Sequence, residues 1–298
     1  MRRGGATHPR LRRLARVSKA VPAALRDRII AQASAGAGPA ALLQPLIDAG
    51  WLRDDAVAAV DALLAEHLAG LARERALPEP KRVPAPVGLN GPSVIPLPDR
   101  SVRVLANLLQ PRVVVFGELL APEECVALID TARERLVRSR VVSETDPDGE
   151  VHAARTSEGT YFLRGATPLI ARIEARIAAL MEWPVEFGEG LQILRYGPGA
   201  EYQPHYDYFA PSEPASARQL AHGGQRVASL ILYLNTPVRG GATVFPDVRF
   251  EVSAIAGNAA FFSYEIPHPV SKTLHGGAPV LEGEKWIATK WLREGVCP

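Results

Sequence analysis

Between residues 77 and 100 the chain carries seven prolines: Pro78, Pro80, Pro84, Pro86, Pro92, Pro96 and Pro98. Each fixes φ and removes a backbone donor, so no helix can run through this stretch. Extended, polyproline-like backbone is expected instead. The stretch therefore divides the chain, and we expect it to act as a linker or as an extended strap along the domain that follows.

The two sides of this divide differ in pattern. Residues 21–76 are dominated by Ala, Leu and Arg, with apolar positions at helical spacing. Leu25, Ile29 and Ile30 can share one face, and so can Leu42, Leu43, Leu46 and Ile47, with Gly50 as a C-terminal stop. Asp54 or Asp55 is expected to cap a longer helix through Val57, Val60, Leu63, Leu64, His67, Leu68 and Leu71. This is a small α-helical N-terminal module. Ahead of it, residues 1–20 form a basic arm poor in large apolar side chains, for which disorder is expected. Residues 1–28 hold nine basic side chains and one acid, Asp27, so the basic isoelectric point comes from the arm and the rest of the chain is acidic.

Residues 101–298 alternate. The run RVVVFGELL (112–120) is rich in β-branched residues and predicts a strand. Residues 122–136 predict a helix with proline in its first turn, and 167–183 predict another. Short strands are then expected at 191–197, 202–209, 226–235, 242–252, 258–264 and 285–292. Helices followed by many strands with Gly/Pro turns imply an α+β domain with a β-sandwich or barrel core.

No apolar run approaches the length needed to span a bilayer, and with 47% hydrophobic and 22% charged residues the chain can bury a core in water. No apolar segment of the secretory type follows the basic start, and Ser18 is the arm's one serine, which argues against an organellar transit peptide. Cys125 and Cys297 are far apart, so neither a disulfide framework nor a zinc knuckle is expected, and a cytoplasmic location fits best.

One pair of residues suggests chemistry. His205 and Asp207 stand two apart in YQPHYDYF, and alternate side chains of a strand point to one face. An imidazole nitrogen and a carboxylate oxygen could thus meet on one metal, and a second histidine would complete a set that leaves coordination positions open. His275 and His268 are the two candidates for it. An HxD pair by itself is weak, because such spacing arises by chance in many proteins.

Further segments fall into order around that pair. RTSEGTYF (155–162), LQILRYGPGAEYQPHYDYF (191–209), GGATVFP (240–246) and TLHGGAPVLEGEKWIATKWLRE (273–294) together resemble the catalytic domain of prolyl 4-hydroxylases, over residues 110–294. The resemblance implies a double-stranded β-helix (jelly-roll) and an iron(II)- and 2-oxoglutarate-dependent dioxygenase. It implies His205, Asp207 and His275 as metal ligands. Lys285, ten residues after His275, would bind the far carboxylate of 2-oxoglutarate, flanked by Tyr196 and Thr243. Without it, Lys285 would read as a surface lysine like Lys290. Trp291 matches a tryptophan near that pocket and is expected chiefly to pack. Fe(II), 2-oxoglutarate and O2 are the implied cofactors, with ascorbate as reductant.

The same resemblance implies a peptidyl proline as substrate, hydroxylated with formation of succinate and CO2. Glu189, Tyr202 and Arg226 match residues of the peptide groove, though Glu189 and Arg226 could equally be a surface ion pair. A free amino acid or small metabolite is the alternative substrate, because the core motifs bind metal and cosubstrate. Residues 210–225 are small and polar enough to form a lid. His222, His152, His8 and His67 are not expected to be ligands. A binding protein built on the basic arm and helical module is a more distant alternative. The arm lacks aromatic residues for base stacking, so nucleic acid is not expected as a partner. Neither a membrane partner nor a particular oligomeric state is implied.

Overall fold

A computed structural model describes residues 20–88, 91–138, 156–211 and 213–297. The chain divides into two compact units, Met1–Leu77 and Pro78–Pro298. The basic arm, apart from Ala20, lies outside the described residues, as do His8, His152 and Arg155 of the RTSEG motif.

In the first unit three helices, α1 (Ala23–Ser34), α2 (Pro39–Asp48) and α3 (Arg53–Glu74), enclose a small core of Ile29, Leu42, Leu46, Ala56, Val60 and Leu63. Proline at the start of α2 uses a position whose N–H would be unpaired anyway. Gly50, at φ +79°, ends that helix: its N–H donates to Ile47 O and the Trp51 N–H to Leu46 O. Helix α3 begins earlier than expected, so Asp54 and Asp55 lie in its first turn, near its positive end, and neither occupies the capping position. Val57 and Leu68 of the expected apolar stripe are exposed.

The second unit is built on strands β1 (Val94–Pro96), β2 (Ser101–Leu108), β3 (Arg112–Gly117), β4 (Val137–Arg138), β5 (Glu158–Phe162), β6 (Gly188–Tyr196), β7 (Tyr202–His205), β8 (Arg226–Tyr233), β9 (Arg239–Gly240), β10 (Thr243–Phe245), β11 (Phe250–Val252), β12 (Ala259–Ser263), β13 (His275–Gly277), β14 (Val280–Glu282) and β15 (Lys285–Arg293). A nine-stranded sheet runs β1-β2-β3-β12-β8-β15-β6-β5-β4, and a four-stranded sheet runs β11-β10-β13-β7. All pairings within these sheets are antiparallel. This is the jelly-roll with supporting helices.

Alternation along the central strands sends side chains into two different cores. Val114, Phe116, Ala228, Leu230, Leu232, Phe261, Trp286 and Ala288 pack with helices α4 (Pro122–Arg133) and α5 (Pro168–Met181). Val113, Val115, Ile231, Tyr233, Phe262 and Ile287 face the other way, into the core that includes Phe245 and Val252 of the smaller sheet. With both faces covered, a one-residue slip would exchange the two sets, so the register is tightly specified. Helix α5 starts at the Thr167 cap, whose hydroxyl accepts from Ile170 N–H at 3.1 Å. At α4 the Glu124 carboxylate reaches back to accept from the Ala121 N–H at 2.9 Å.

Two expectations about strands need correction. Residues 242–252 are not one strand: Pro246 opens a single 3-10 turn, and Arg249 at φ +52° turns the chain back so that β10 pairs with β11. Residues 202–209 are strand only to His205. The proline-dense stretch also belongs to the second unit and does not stand apart as a linker. Lys81 N–H donates to Glu265 O, Val87 N–H donates to Leu180 O, and Val83, Val87 and Leu97 pack against the helix-side core. Extended backbone with unpaired donors finds its partners there as a strap.

Candidate active site

Strands β7 and β13 pair so that His205 and His275 stand directly opposite, with ring centroids 4.4 Å apart. Asp207 follows the end of β7. Its position depends on the chain's exit from the strand, since the i, i+2 pleat stops at His205. His205 Nε2 lies 3.5 Å from Asp207 Oδ1, and His275 Nε2 lies 3.5 Å from Asp207 Oδ2. One donor atom from each of the three falls within 4.8 Å of the others, the single such cluster among the described residues. Each Nδ1 sits 3.0 Å from a carbonyl, Gln203 O for His205 and Thr273 O for His275. A carbonyl can only accept, so each Nδ1 carries the proton and each Nε2 lone pair faces the cluster.

Protonation states agree with that geometry. Burial pushes His275 down to about 4, so its imidazole is neutral at neutral pH. Burial alone would raise the Asp207 carboxyl, but the positive charge of the neighbouring His275 ring in its protonated form, with the nearby Arg226 guanidinium, holds it well below the usual range. Two imidazole nitrogens and one carboxylate are the donor set that suits ferrous iron with open positions. The residues fit the metal. His268 does not compete: its Nδ1 accepts from the Val270 N–H at 3.1 Å, capping a 3-10 turn.

Between the two sheets, close to this cluster, lies a buried cation. Lys285 opens β15 opposite Tyr196 of β6, with its Nζ 5.5 Å from the Tyr196 ring centre. Its exposure is 2%, and burial pushes its ammonium down to about 8. Among the described residues no carboxylate pairs with it. Glycines leave the room around it: a Cβ on Gly241 would meet Lys285 Cδ at 3.2 Å, and one on Gly277 would meet Nζ at 3.7 Å. Thr243 lies opposite Gly277, and its hydroxyl accepts from Tyr233 OH at 2.9 Å. An unpaired buried ammonium is costly and awaits an anion. By contrast Lys290, expected at the surface, is buried. It faces the helices, where its Nζ meets Glu174 Oε1 at 2.5 Å and also Glu189 O.

Glu189 and Arg226 form a fork-to-fork pair at 2.7 and 2.8 Å, largely shielded from solvent. Arg293 joins it at 2.9 Å, and the Arg226 guanidinium lies 4.8 Å from the Phe209 ring centre and 4.0 Å from that of Trp291. A surface pair is thus the wrong description. Arg226 also donates to Asp207 O at 3.4 Å. Tyr202 stacks on His205 with centroids 3.8 Å apart. The later part of the 210–225 loop is tied down: Arg293 donates to His222 O and Gln219 O, and the Gln225 amide brackets the Phe209 backbone. Neither His222 nor His67 is part of this cluster.

Three hydroxyl residues escaped sequence reasoning. Ser229 donates to Asp207 Oδ2 at 2.6 Å, Tyr264 stands 3.0 Å from Ser229 Oγ, and Tyr233 holds Thr243. A serine inside the apolar run VASLILY was the available signal for the first.

With this geometry in place, comparison with known proteins is informative. Residues 191–293 match the family model described as the 2OG-Fe(II) oxygenase superfamily. Prolyl 4-hydroxylase 2 of Arabidopsis thaliana is 37% identical over 229 residues, covering 68% of this chain and 73% of that protein. Prolyl 4-hydroxylase 1 of the same plant is 39% identical over 201 residues, covering 62% and 69%. A crystal structure of the viral collagen prolyl hydroxylase from Paramecium Bursaria Chlorella virus-1, in its 2OG complex, is 28% identical, with a TM-score of 0.48 over 61% of this chain and 95% of that one. The chain belongs to the prolyl 4-hydroxylase-type family of iron(II)- and 2-oxoglutarate-dependent oxygenases. It is accordingly a 2-oxoglutarate-dependent dioxygenase. Among the described residues no helix is long and apolar enough to cross a membrane.

Proposed function

We propose that this enzyme hydroxylates a peptidyl proline, with His205, Asp207 and His275 holding iron(II) and Lys285 receiving the far carboxylate of 2-oxoglutarate. The observation that carries the reading is the buried, acid-free ammonium of Lys285 between the same two sheets as the His-Asp-His cluster. The Thr243 hydroxyl, oriented by Tyr233, and Tyr196 line the same place, where they add polar contacts to a carboxylate. When bound, ferrous iron with 2-oxoglutarate and O2 supplies the oxidation, one oxygen atom going to the substrate and the other to succinate as CO2 leaves.

The chain's own residues bind, orient and exclude water. The carbonyl-held imidazoles keep their Nε2 atoms aimed inward, and the buried walls around Lys285 keep its charge unscreened. Peptidyl proline as substrate is supported by the relatives' names and by Tyr202, whose ring beside His205 offers a flat face to a pyrrolidine. Glu189 and Arg226 would form the adjoining wall, with Arg226 shaping the groove through its rigid stack. Ascorbate is the proposed external reductant. A reducing, cytoplasmic setting fits two cysteines that are both unbridged.

The test is succinate formation by protein loaded anaerobically with iron(II) and 2-oxoglutarate, then exposed to oxygen with ascorbate. Stimulation by a proline-rich peptide but not by free proline is expected, and His205→Ala should abolish the product. Equal stimulation by free proline would replace the peptide with a small molecule.

A further inference from the structure

Asp207 must do more than sit near two histidines. A carboxylate free to turn about its Cβ–Cγ bond would hold no fixed place in that cluster, so its orientation needs further contacts. We infer that Ser229 and Tyr264 form a two-hydroxyl relay that fixes the orientation of the Asp207 carboxylate between the two histidines. This rests on the reading of His205, Asp207 and His275 as a metal site.

The hydrogen-bond directions follow from elementary bookkeeping. An ionised carboxylate accepts only, so the single Ser229 proton goes to Asp207 Oδ2, at 2.6 Å. The Tyr264 hydroxyl, 3.0 Å from Ser229 Oγ, must then be the donor to it. Burial raises the Tyr264 phenol well above its ordinary value, which keeps that proton in place. A hydrogen bond received by a hydroxyl polarises it and strengthens the bond it donates.

Both groups are held rigidly. Ser229 is fully buried in β8, between β12 and β15. Tyr264 is 1% exposed, its N–H donates to Val227 O at 3.0 Å, and its ring lies among Tyr208 and Phe262. Oδ2 thus has one lone pair committed to Ser229. With that contact fixed, Oδ1 stays 3.5 Å from His205 Nε2 and Oδ2 stays 3.5 Å from His275 Nε2. Ser229 and Tyr264 are positioning residues: they touch the ligand and not the reacting atoms.

The experiment titrates metal-free full-length protein with cobalt(II), recording affinity and the visible absorption that reports coordination number. Ser229→Ala is expected to weaken cobalt binding by about 10–100-fold, the usual penalty for losing an outer partner of a metal ligand. Its spectrum should shift as the freed carboxylate turns out of its place in the ligand set. Ser229→Thr, which keeps the hydroxyl, should retain wild-type affinity and spectrum, and Tyr264→Phe should show a smaller loss than Ser229→Ala. Wild-type affinity and spectrum in Ser229→Ala would overturn the inference. So would equal losses in Ser229→Ala and Ser229→Thr, which would mean that packing and not the hydroxyl matters. Failure of the wild-type protein to bind cobalt would instead overturn the metal-site reading beneath it.

Discussion

At the scale of residues, Lys285 shows how a single charge can be read. In sequence it resembled any strand lysine, and a resemblance alone placed it in a pocket. In the folded chain its ammonium is buried without an acid, at about 8 instead of the ordinary 10.5. The sign of the consequence is fixed. Below that value the empty pocket holds a cation ready for a carboxylate; above it the cation is lost and must be recharged before binding. We therefore expect the KM for 2-oxoglutarate to rise as pH goes from about 7 to about 9, by up to about tenfold per pH unit above the apparent pKa. Lys285→Ala should remove this pH dependence and weaken 2-oxoglutarate by at least about 100-fold, as expected for loss of one partner of a buried ion pair. Steady-state kinetics at several pH values checks both; a flat profile in the parent enzyme would contradict them. The metal ligands were legible because they are few, chemically distinctive and set in motifs. Ser229 and Tyr264 were not, because their link to Asp207 joins positions far apart in sequence through strand packing.

Elements were legible in kind and less so in extent. The helices at 122–133 and 168–181 and the central strands β3, β12, β8, β15 and β6 of the large sheet follow from periodicity, β-branched runs and caps, whereas β1, β2, β4 and β5 toward its edges were not expected. What periodicity could not show was which face of β15 met a helix. Lys290 therefore looked like a surface residue, whereas its strand is covered on both sides and its charge is matched by Glu174 on α5. Glu174 Oε2 also accepts from the Gly165 N–H at 2.8 Å, so the pair ties strand, helix and loop together. Lys290→Met alone should cost about 3–5 kcal/mol by stranding that carboxylate, whereas Lys290→Met with Glu174→Leu should recover much of the loss. Urea unfolding of the two variants distinguishes these outcomes, and equal destabilisation would show that the pair is not coupled. The missed break at Pro246 and the early end of β7 have one cause: a turn that re-aims the chain between short strands leaves a weaker trace than the strands themselves.

For the molecule as a whole, every candidate residue for metal, cosubstrate and substrate lies in the unit from Pro78 onward. The proline-dense stretch belongs to this unit because its extended backbone finds partners at Glu265 and Leu180, and an ion-pair network sits beside it. There Arg176 joins Asp99 at 2.6 Å and Glu124 at 2.8 Å, and these guanidinium contacts hold the Glu124 carboxyl down at about 2 against its burial. Such long-range pairing was beyond composition, which could only exclude helix there. The two sheets instead bring the pieces of one reaction together: β7 and β13 carry the imidazoles, β15 the cation, and β8 the serine that holds the carboxylate. The most direct test of that assembly is turnover of a proline-rich peptide under isotopically labelled O2, with mass spectrometry of both products. One labelled oxygen atom on a prolyl ring and one in succinate is the predicted result. Labelled succinate with no oxygen gained by any proline would contradict the account.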